Sequence, residues 1–440
     1  MNKPVLIAFD FDGVIADSIQ AMKNTFYSFL QLHHIAYSDA IFEQYNGVKL
    51  SGILSDIKKK YNIDTSYEGL LASYQDLLEK HMTDIKPVQG VSSVLKKLKE
   101  QGAKIVLSSS ANKKYIEEFL TKYEMRDFFD YLFTGESCSY TKPDEKFYLN
   151  IKKHYEGYNI FVVEDSDNGL IAAFNAGLQT LFYNAYGQTT CAPYHYVVTK
   201  LSQIHKVIVD YANYGYFIRN TNIDIVIENI HPTFSAKEKK IIEDIWNGRP
   251  EHIFNGKVLA CNSIKYRRGR LIVECYVTEY KYVYSIRSKI TPVAVSGICI
   301  DSNDNIIVSV RNKVTDYAGY YELIPSGGID KRYVEGNRQG YKEQLLVELC
   351  EEGGIMLKEN VVGIDTLGVC YDAGSNTIDI CMKIQCGIDF MSVILDDNND
   401  EYSSMTILID KLNSIKEVLK DKEVVMTSRM ILKNINGNKV

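Results

Sequence analysis

Three continuous apolar runs constrain the first half of this chain more than any other feature: VLIAF (residues 5–9), AKIVLS (103–108) and NIFVVE (159–164). Runs of strand length with no polar alternation have no side to show to water. They read as strands buried on both faces, the pattern of a parallel sheet. Parallel neighbours require crossovers, and stretches of helical spacing lie between the runs. An α/β fold follows. Between the first and second runs lies a long insert, residues 17–88, whose apolar residues (Phe26, Phe29, Leu30; Leu50, Ile53, Leu54, Ile57; Leu70, Leu71, Leu77, Leu78) recur at helical spacing. This spacing predicts a small all-helical subdomain, with Pro87 and Gly90 marking the return to the sheet.

Beyond about residue 212 the texture changes. Segments such as RLIVECYVTEYKYVYSI (270–286), PVAVSGICI (292–300) and NIIVSVRN (305–312) are rich in β-branched and aromatic residues and are separated by turn-forming stretches such as DSNDN. They predict antiparallel strands, and residues 213–222 between the two textures are expected to be a linker. The segment KYRRGR (265–270) is expected to be a solvated hairpin turn.

At 440 residues the chain exceeds one ordinary core, so about two to four domains are expected. A net charge of -6 and a pI near 5.9 argue against nucleic acid as the main partner. Nine irregularly spaced cysteines without a C-x-x-C pair predict reduced thiols instead of a disulfide frame or a zinc site. There is no run of 18 apolar residues, so no membrane span is expected, and a cytoplasmic location is the default.

The first apolar run leads directly into Asp10 and Asp12. Side chains two apart on an extended segment point the same way, so both acids can face one site at the end of the first strand. Parallel sheets bind ligands at the carboxyl ends of their strands. The second run ends in Ser108, Ser109 and Ser110, the third in Glu164 and Asp165, and Lys142 precedes Pro143 in an intervening loop. Two converging carboxylate pairs repel unless a hard cation sits between them, and Mg²⁺ prefers carboxylates, water and phosphate oxygens.

The four segments DFDGVIADS, VLSSSAN, TKPD and VVEDSDNG, in this order, resemble the motifs of haloacid dehalogenase (HAD) superfamily phosphatases. The resemblance covers about residues 1–210 and implies a Rossmann-like core (1–16 and 89–212) with the helical insert 17–88 as a cap over the substrate. It implies that Asp10 is the nucleophile that takes the phosphoryl group and Asp12 the acid/base, whose backbone carbonyl also touches the metal. Ser109 and Lys142 would bind the phosphoryl oxygens. Asp10, Asp12, Glu164 and Asp165 would hold Mg²⁺. Asp12 also separates phosphate chemistry from halide removal, since halide-removing relatives lack that second acid. Sugar phosphomutases in the family carry a cap histidine where this chain has Met22, which favours a phosphatase acting on a small phosphorylated metabolite.

A second acidic cluster lies in ELIPSGGIDKRYVEGNRQGYKEQLLVELCEEGGI (322–355). Glu348, Glu351 and Glu352 stand at i, i+3 and i+4 and share one helix face, where like charges cost stability unless a cation is present. The stretch resembles a Nudix box, the motif of Mg²⁺-dependent hydrolases of nucleoside diphosphates linked to another moiety. Gly327 and Gly328 match its opening, and Glu348, Glu351 and Glu352 would bind metal, with Glu348 or Glu352 as the base. Val347 replaces the usual arginine and Gln339 an earlier glutamate. Glu401 falls at a late acidic position of the same resemblance. The expected architecture is therefore a HAD-type α/β core with an all-helical cap, followed over residues 223–440 by a Nudix-like α/β/α sandwich with a mixed sheet. The second half is expected either to hydrolyse a nucleoside diphosphate-linked substrate or to sense a nucleotide and regulate the first.

Overall fold

The computed structural model describes residues 3–45, 50–82, 84–136, 139–251, 253–311, 317–392 and 408–435. Glu401 lies outside the described residues. The chain divides into two compact units, Met1–Ile208 and Val209–Val440.

In the first unit, β1 (Val5–Phe9), β2 (Lys104–Ser108), β3 (Tyr131–Phe133), β4 (Asn159–Glu164), β5 (Gln179–Tyr183) and β6 (Tyr196–Val198) form one parallel sheet in the order β3-β2-β1-β4-β5-β6. The three apolar runs are β2, β1 and β4, side by side in its centre. Leu6, Ile7, Ala8, Phe9, Val106 and Val162 are wholly buried there, as strands covered on both faces must be. The helices Lys146–His154 and Asp167–Asn175 cover one face, packing Tyr148, Ile151, Ala172 and Ala173 against Leu6, Ala8, Val106 and Val162. Each large apolar side chain so buried contributes about 1.5–3 kcal/mol relative to exposure.

The insert is helical, as its spacing predicts: Ile19–Leu32, Asp39–Tyr45, Leu50–Lys60 and Tyr67–Met82. These helices close on a core of their own, in which Phe29, Leu30, Leu54, Ile57 and Leu70 are fully buried. The chain enters and leaves this subdomain through two adjacent segments. Asp17 N donates to Lys86 O and Val88 N to Ile15 O, each at 2.9 Å, and Ala16 pairs with Pro87 as an isolated bridge.

The second unit contains two sheets. β7 is Gly215–Arg219, β8 Ile223–Ile227, β9 Lys257–Arg267 and β10 Arg270–Glu279. β11 (Val293–Ile300), β12 (Asn305–Val310), β13 (Tyr321–Leu323), β14 (Ser326–Gly328), β15 (Val361–Asp372), β16 (Thr377–Cys386) and β17 (Leu408–Lys411) follow. A small sheet has the order β8-β10-β9. The larger runs β13-β12-β11-β16-β15-β7, with β14 on β11 and β17 on β12. The larger sheet is mixed, as expected: β15 and β16 are antiparallel, β11 and β16 parallel. The Lys265–Arg270 segment is the expected hairpin turn. Arg268 and Gly269 both take left-handed φ values, 52° and 80°, which suit a two-residue turn to the twist of β9 and β10.

Two expectations are corrected. Residues 213–222 are not a linker, because Gly215–Arg219 forms β7 at the edge of the larger sheet, paired with β15, and buries Phe217 and Ile218. Gly215 makes the pairing possible: its φ is 90°, and a Cβ there would lie 1.9 Å from Tyr371 O. The strand-like run 270–286 also stops early. β10 ends at Glu279 and a short helix, Tyr280–Ser285, follows, with Val283 buried against Ala260, Tyr276 and Ile290. Packing outweighs the strand propensity of its tyrosines and valine.

Candidate active site

The carboxyl ends of β1, β2 and β4 bring the N-terminal motifs together. Asp10 N continues the sheet ladder by donating to Val163 O at 2.9 Å, which fixes the start of the loop that follows. That loop folds back on itself, with Ile15 N and Ala16 N both donating to Phe11 O at 2.9 Å. Gly13 permits the turn, with φ 76°, and a Cβ on it would sit 2.2 Å from Asp165 Oδ2. Only a residue without a side chain lets the loop approach Asp165 so closely.

Lys142 is the hub. Its Nζ lies 2.8 Å from Asp10 Oδ1 and 2.5 Å from Glu164 Oε1, and donates to Ser108 O at 3.0 Å, with the side chain only 2% exposed. Burial alone would lower its pKa, but the charges of Asp10 and Glu164 outweigh burial and hold the ammonium well above the ordinary lysine range. The carboxylates are raised as well, which for them favours the neutral form. Burial first, and then the charge of Asp10, pushes Glu164 up to about 7, against the pull of Lys142 and Tyr148. Asp165 is raised well above the carboxylate range by burial and by Asp10 and Glu164. Asp12, partly buried, is pushed up to about 6, chiefly by burial, while its Oδ1 accepts from Ser18 Oγ at 2.7 Å.

One oxygen each from Asp10, Glu164 and Asp165 can be chosen so that all lie within 4.8 Å of one another. Asp165 Oδ2 is buried and has no hydrogen-bond partner. Three buried carboxylates exceed what one lysine neutralises, and a bare carboxylate oxygen out of water is costly unless a cation meets it. This donor set fits a hard divalent cation such as Mg²⁺.

Ser108 and Ser109, at the end of β2, differ in their contacts. Ser108 lies at the network: Lys142 binds its carbonyl, and its hydroxyl donates to Phe9 O at 3.3 Å and lies 3.3 Å from the Tyr148 hydroxyl. Ser109, the serine singled out from the motif, is also buried, but its Oγ accepts from Ala111 N at 3.0 Å. Sequence reasoning named Ser108 but chose Ser109, and passed over Tyr148. Strand alternation offered a signal for Ser108, since Val106 and Ser108 share a face, but the register that sets Val106 beside Ala8 was needed to use it.

In the second unit, Gly327 and Gly328 lie on β14 and the three glutamates on the helix Tyr341–Gly353, with a short helix, Lys331–Val334, between them. Glu348 packs under Gly327, where a Cβ would stand 2.2 Å from its carboxyl carbon, and accepts from Gln344 Nε2 at 2.6 Å. Both oxygens of Glu352 lie 3.2 Å from the Ser326 amide, and Glu351 is exposed. Among the described residues, Asp10, Glu164 and Asp165 are the one cation-sized acidic group; Glu348, Glu351 and Glu352 do not gather in this way.

The family described as haloacid dehalogenase-like hydrolase matches residues 7–183. Over those residues the N-terminal unit is similar to this family. One relative is a phosphorylated carbohydrates phosphatase of Thermotoga maritima, 22% identical over 179 residues, which span 40% of this chain and 83% of that protein. Another is hexitol phosphatase B of Escherichia coli, 33% identical over 94 residues, 21% of this chain and 42% of that protein. Among solved structures, a β-phosphoglucomutase of Clostridium difficile aligns at 22% identity with a TM-score of 0.39, covering 48% of this chain and 99% of that one.

Proposed function

We propose that the N-terminal unit is a Mg²⁺-dependent phosphatase that hydrolyses a small phosphorylated metabolite, such as a sugar phosphate, through an aspartyl-phosphate on Asp10. The observation that carries this reading is Lys142 Nζ, 2.8 Å from Asp10 Oδ1 and 2.5 Å from Glu164 Oε1, beside the unpartnered Asp165 Oδ2. A nucleophile, a fixed cation for the phosphoryl oxygens and a vacant carboxylate for a metal stand at one point. The names of the phosphatase relatives support a carbohydrate-type substrate.

An Asp10 carboxylate oxygen attacks phosphorus, and the bond from phosphorus to the ester oxygen breaks. Asp12, whose raised pKa favours the protonated form, gives its proton to the departing alkoxide. Asp12 then takes a proton from water as the water oxygen attacks the aspartyl-phosphate, releasing phosphate and restoring Asp10. Lys142 and the Ser109 hydroxyl hold the phosphoryl oxygens. Asp10, Glu164, Asp165 and the Asp12 carbonyl would hold Mg²⁺, which would supply neutralisation of the phosphoryl charge. The helical cap keeps bulk water from the site. Met22, partly buried against the cap core where a mutase would carry histidine, favours hydrolysis over transfer within a sugar. A phosphate-release screen over phosphorylated sugars and other metabolites, with Mg²⁺, tests the reading. No release by the wild type, or undiminished release by Asp10→Asn, would sink it.

For the second unit we infer a Nudix-like module. A cavity of about 270 Å³ beside the β14 loop, lined among others by Ser296, Arg311, Glu322, Gly327 and Asp379, supports a ligand-binding role for it. The dispersed positions of Glu348, Glu351 and Glu352 favour nucleotide sensing over hydrolysis. Melting shifts with nucleoside diphosphate sugars and no turnover would bear out the sensor. Turnover abolished by Glu348→Gln would favour the hydrolase, whose sugar phosphate product the first unit could then dephosphorylate.

A further inference from the structure

Tyr148 is fully buried, lies outside all four motifs and makes contacts that a packing residue does not need. Its hydroxyl donates to Glu164 Oε1, the oxygen that also meets Lys142, and lies 3.3 Å from Ser108 Oγ. The Ser108 hydroxyl is in turn tied to Phe9 O, one residue before Asp10. A single phenol therefore joins the ends of β1, β2 and β4 from beneath the site. On its other side the Glu164 carboxylate has almost no room: a Cβ on Gly169 would stand 2.0 Å from Oε2. Held by two donors on Oε1 and walled by Gly169, the carboxylate cannot rotate freely about its last bond.

We propose that Tyr148 is a positioning residue for Mg²⁺ binding, which it serves by fixing the orientation of the Glu164 carboxylate. This rests on the phosphatase reading above. The physical reason is general: a metal gains most from a ligand whose orientation is set before the metal arrives, and hydrogen bonds to the far side of ligands are typically worth about 10–100-fold in metal affinity. Lys142 does not substitute for the phenol, because its ammonium is shared with Asp10 and with the Ser108 carbonyl. The ring also packs in the sheet-covering core with Phe147 and Ile151, so replacing tyrosine by phenylalanine removes the oxygen and leaves the packing.

The test is Tyr148→Phe on the full chain, with Mg²⁺ affinity read by calorimetry and by the Mg²⁺-dependent rise in melting temperature, independently of turnover. Tyr155→Phe, at a tyrosine packed against the same core, serves as control. The expected result is about tenfold weaker Mg²⁺ binding in Tyr148→Phe, unchanged binding in Tyr155→Phe, and a substrate KM within twofold of wild type at saturating Mg²⁺. In a Glu164→Ala background the Tyr148→Phe effect should vanish, since the phenol acts through that carboxylate. Mg²⁺ affinity within twofold of wild type in Tyr148→Phe, whatever its melting temperature, overturns the proposal; so does an effect that persists without Glu164. Absence of Mg²⁺ binding or phosphate release in the wild type overturns the phosphatase reading instead, so the two failures are told apart.

Discussion

Asp12 and Asp379 show how one physical effect, burial of a carboxyl group, serves different ends. On the phosphatase reading proposed above, the raised pKa of Asp12 would keep a proton available to a leaving alcohol. Asp12→Asn should therefore slow hydrolysis of alkyl phosphates by about 10²–10⁴-fold. It should slow p-nitrophenyl phosphate far less, since nitrophenolate leaves without a proton; comparing the two substrates in one assay checks this. Asp10→Asn should abolish both, by at least about 10³-fold. Asp379, on β16, is likewise pushed up to about 6 by burial, although Ser296 and Thr427 hydroxyls donate to it at 2.8 and 3.1 Å. Its folded pKa exceeds the unfolded 3.8, so the native state binds the extra proton and loses stability as pH rises through about 6. Asp379→Asn should remove that dependence and stabilise the second unit at pH 8 by about 1–3 kcal/mol, read from urea unfolding at pH 5 and pH 8. The acids of the site were legible because they follow apolar runs at strand ends. The roles of Ser108 and Tyr148 were not, because they depend on strand register and helix rotation, which a single sequence does not specify.

Among the elements, those that fill a sheet centre could be read directly and those at its margins could not. β1, β2 and β4 are apolar from end to end because both faces are covered. Among the described residues β7 has one neighbour, β15, so its sequence need only bury Phe217 and Ile218 and can carry polar residues elsewhere. The 213–222 stretch therefore reads as a linker while serving as a strand. Gly215→Ala tests that strand: the left-handed φ alone should cost about 1–3 kcal/mol, and the close Tyr371 carbonyl adds to it. A urea midpoint unchanged in this variant would show that β7 contributes little. Tyr280–Ser285 illustrates the opposite error, in which strand-prone residues become helix because burying Val283 among Ala260, Tyr276 and Ile290 outweighs local preference.

At the scale of the whole molecule, two units with separate cores predict two unfolding transitions, only one of them sensitive to Mg²⁺. Calorimetry in EDTA and in Mg²⁺ should show a single transition moving upward, by about 2.7 kcal/mol of stability at a concentration 100 times the dissociation constant. Asp165→Asn should abolish that shift. The division into halves was visible from texture alone, and the parallel sheet with its helical insert from apolar spacing. What the second half binds was not, since Glu348, Glu351 and Glu352 share a helix face without meeting at one point. The paired crossing at Ala16 and Pro87 has a consequence of its own. Because the helical insert departs and returns through neighbouring backbone, its whole content can be swapped, lengthened or resurfaced by evolution without disturbing a single strand beneath it. New substrate preferences can then arise above a chemistry that stays as it was.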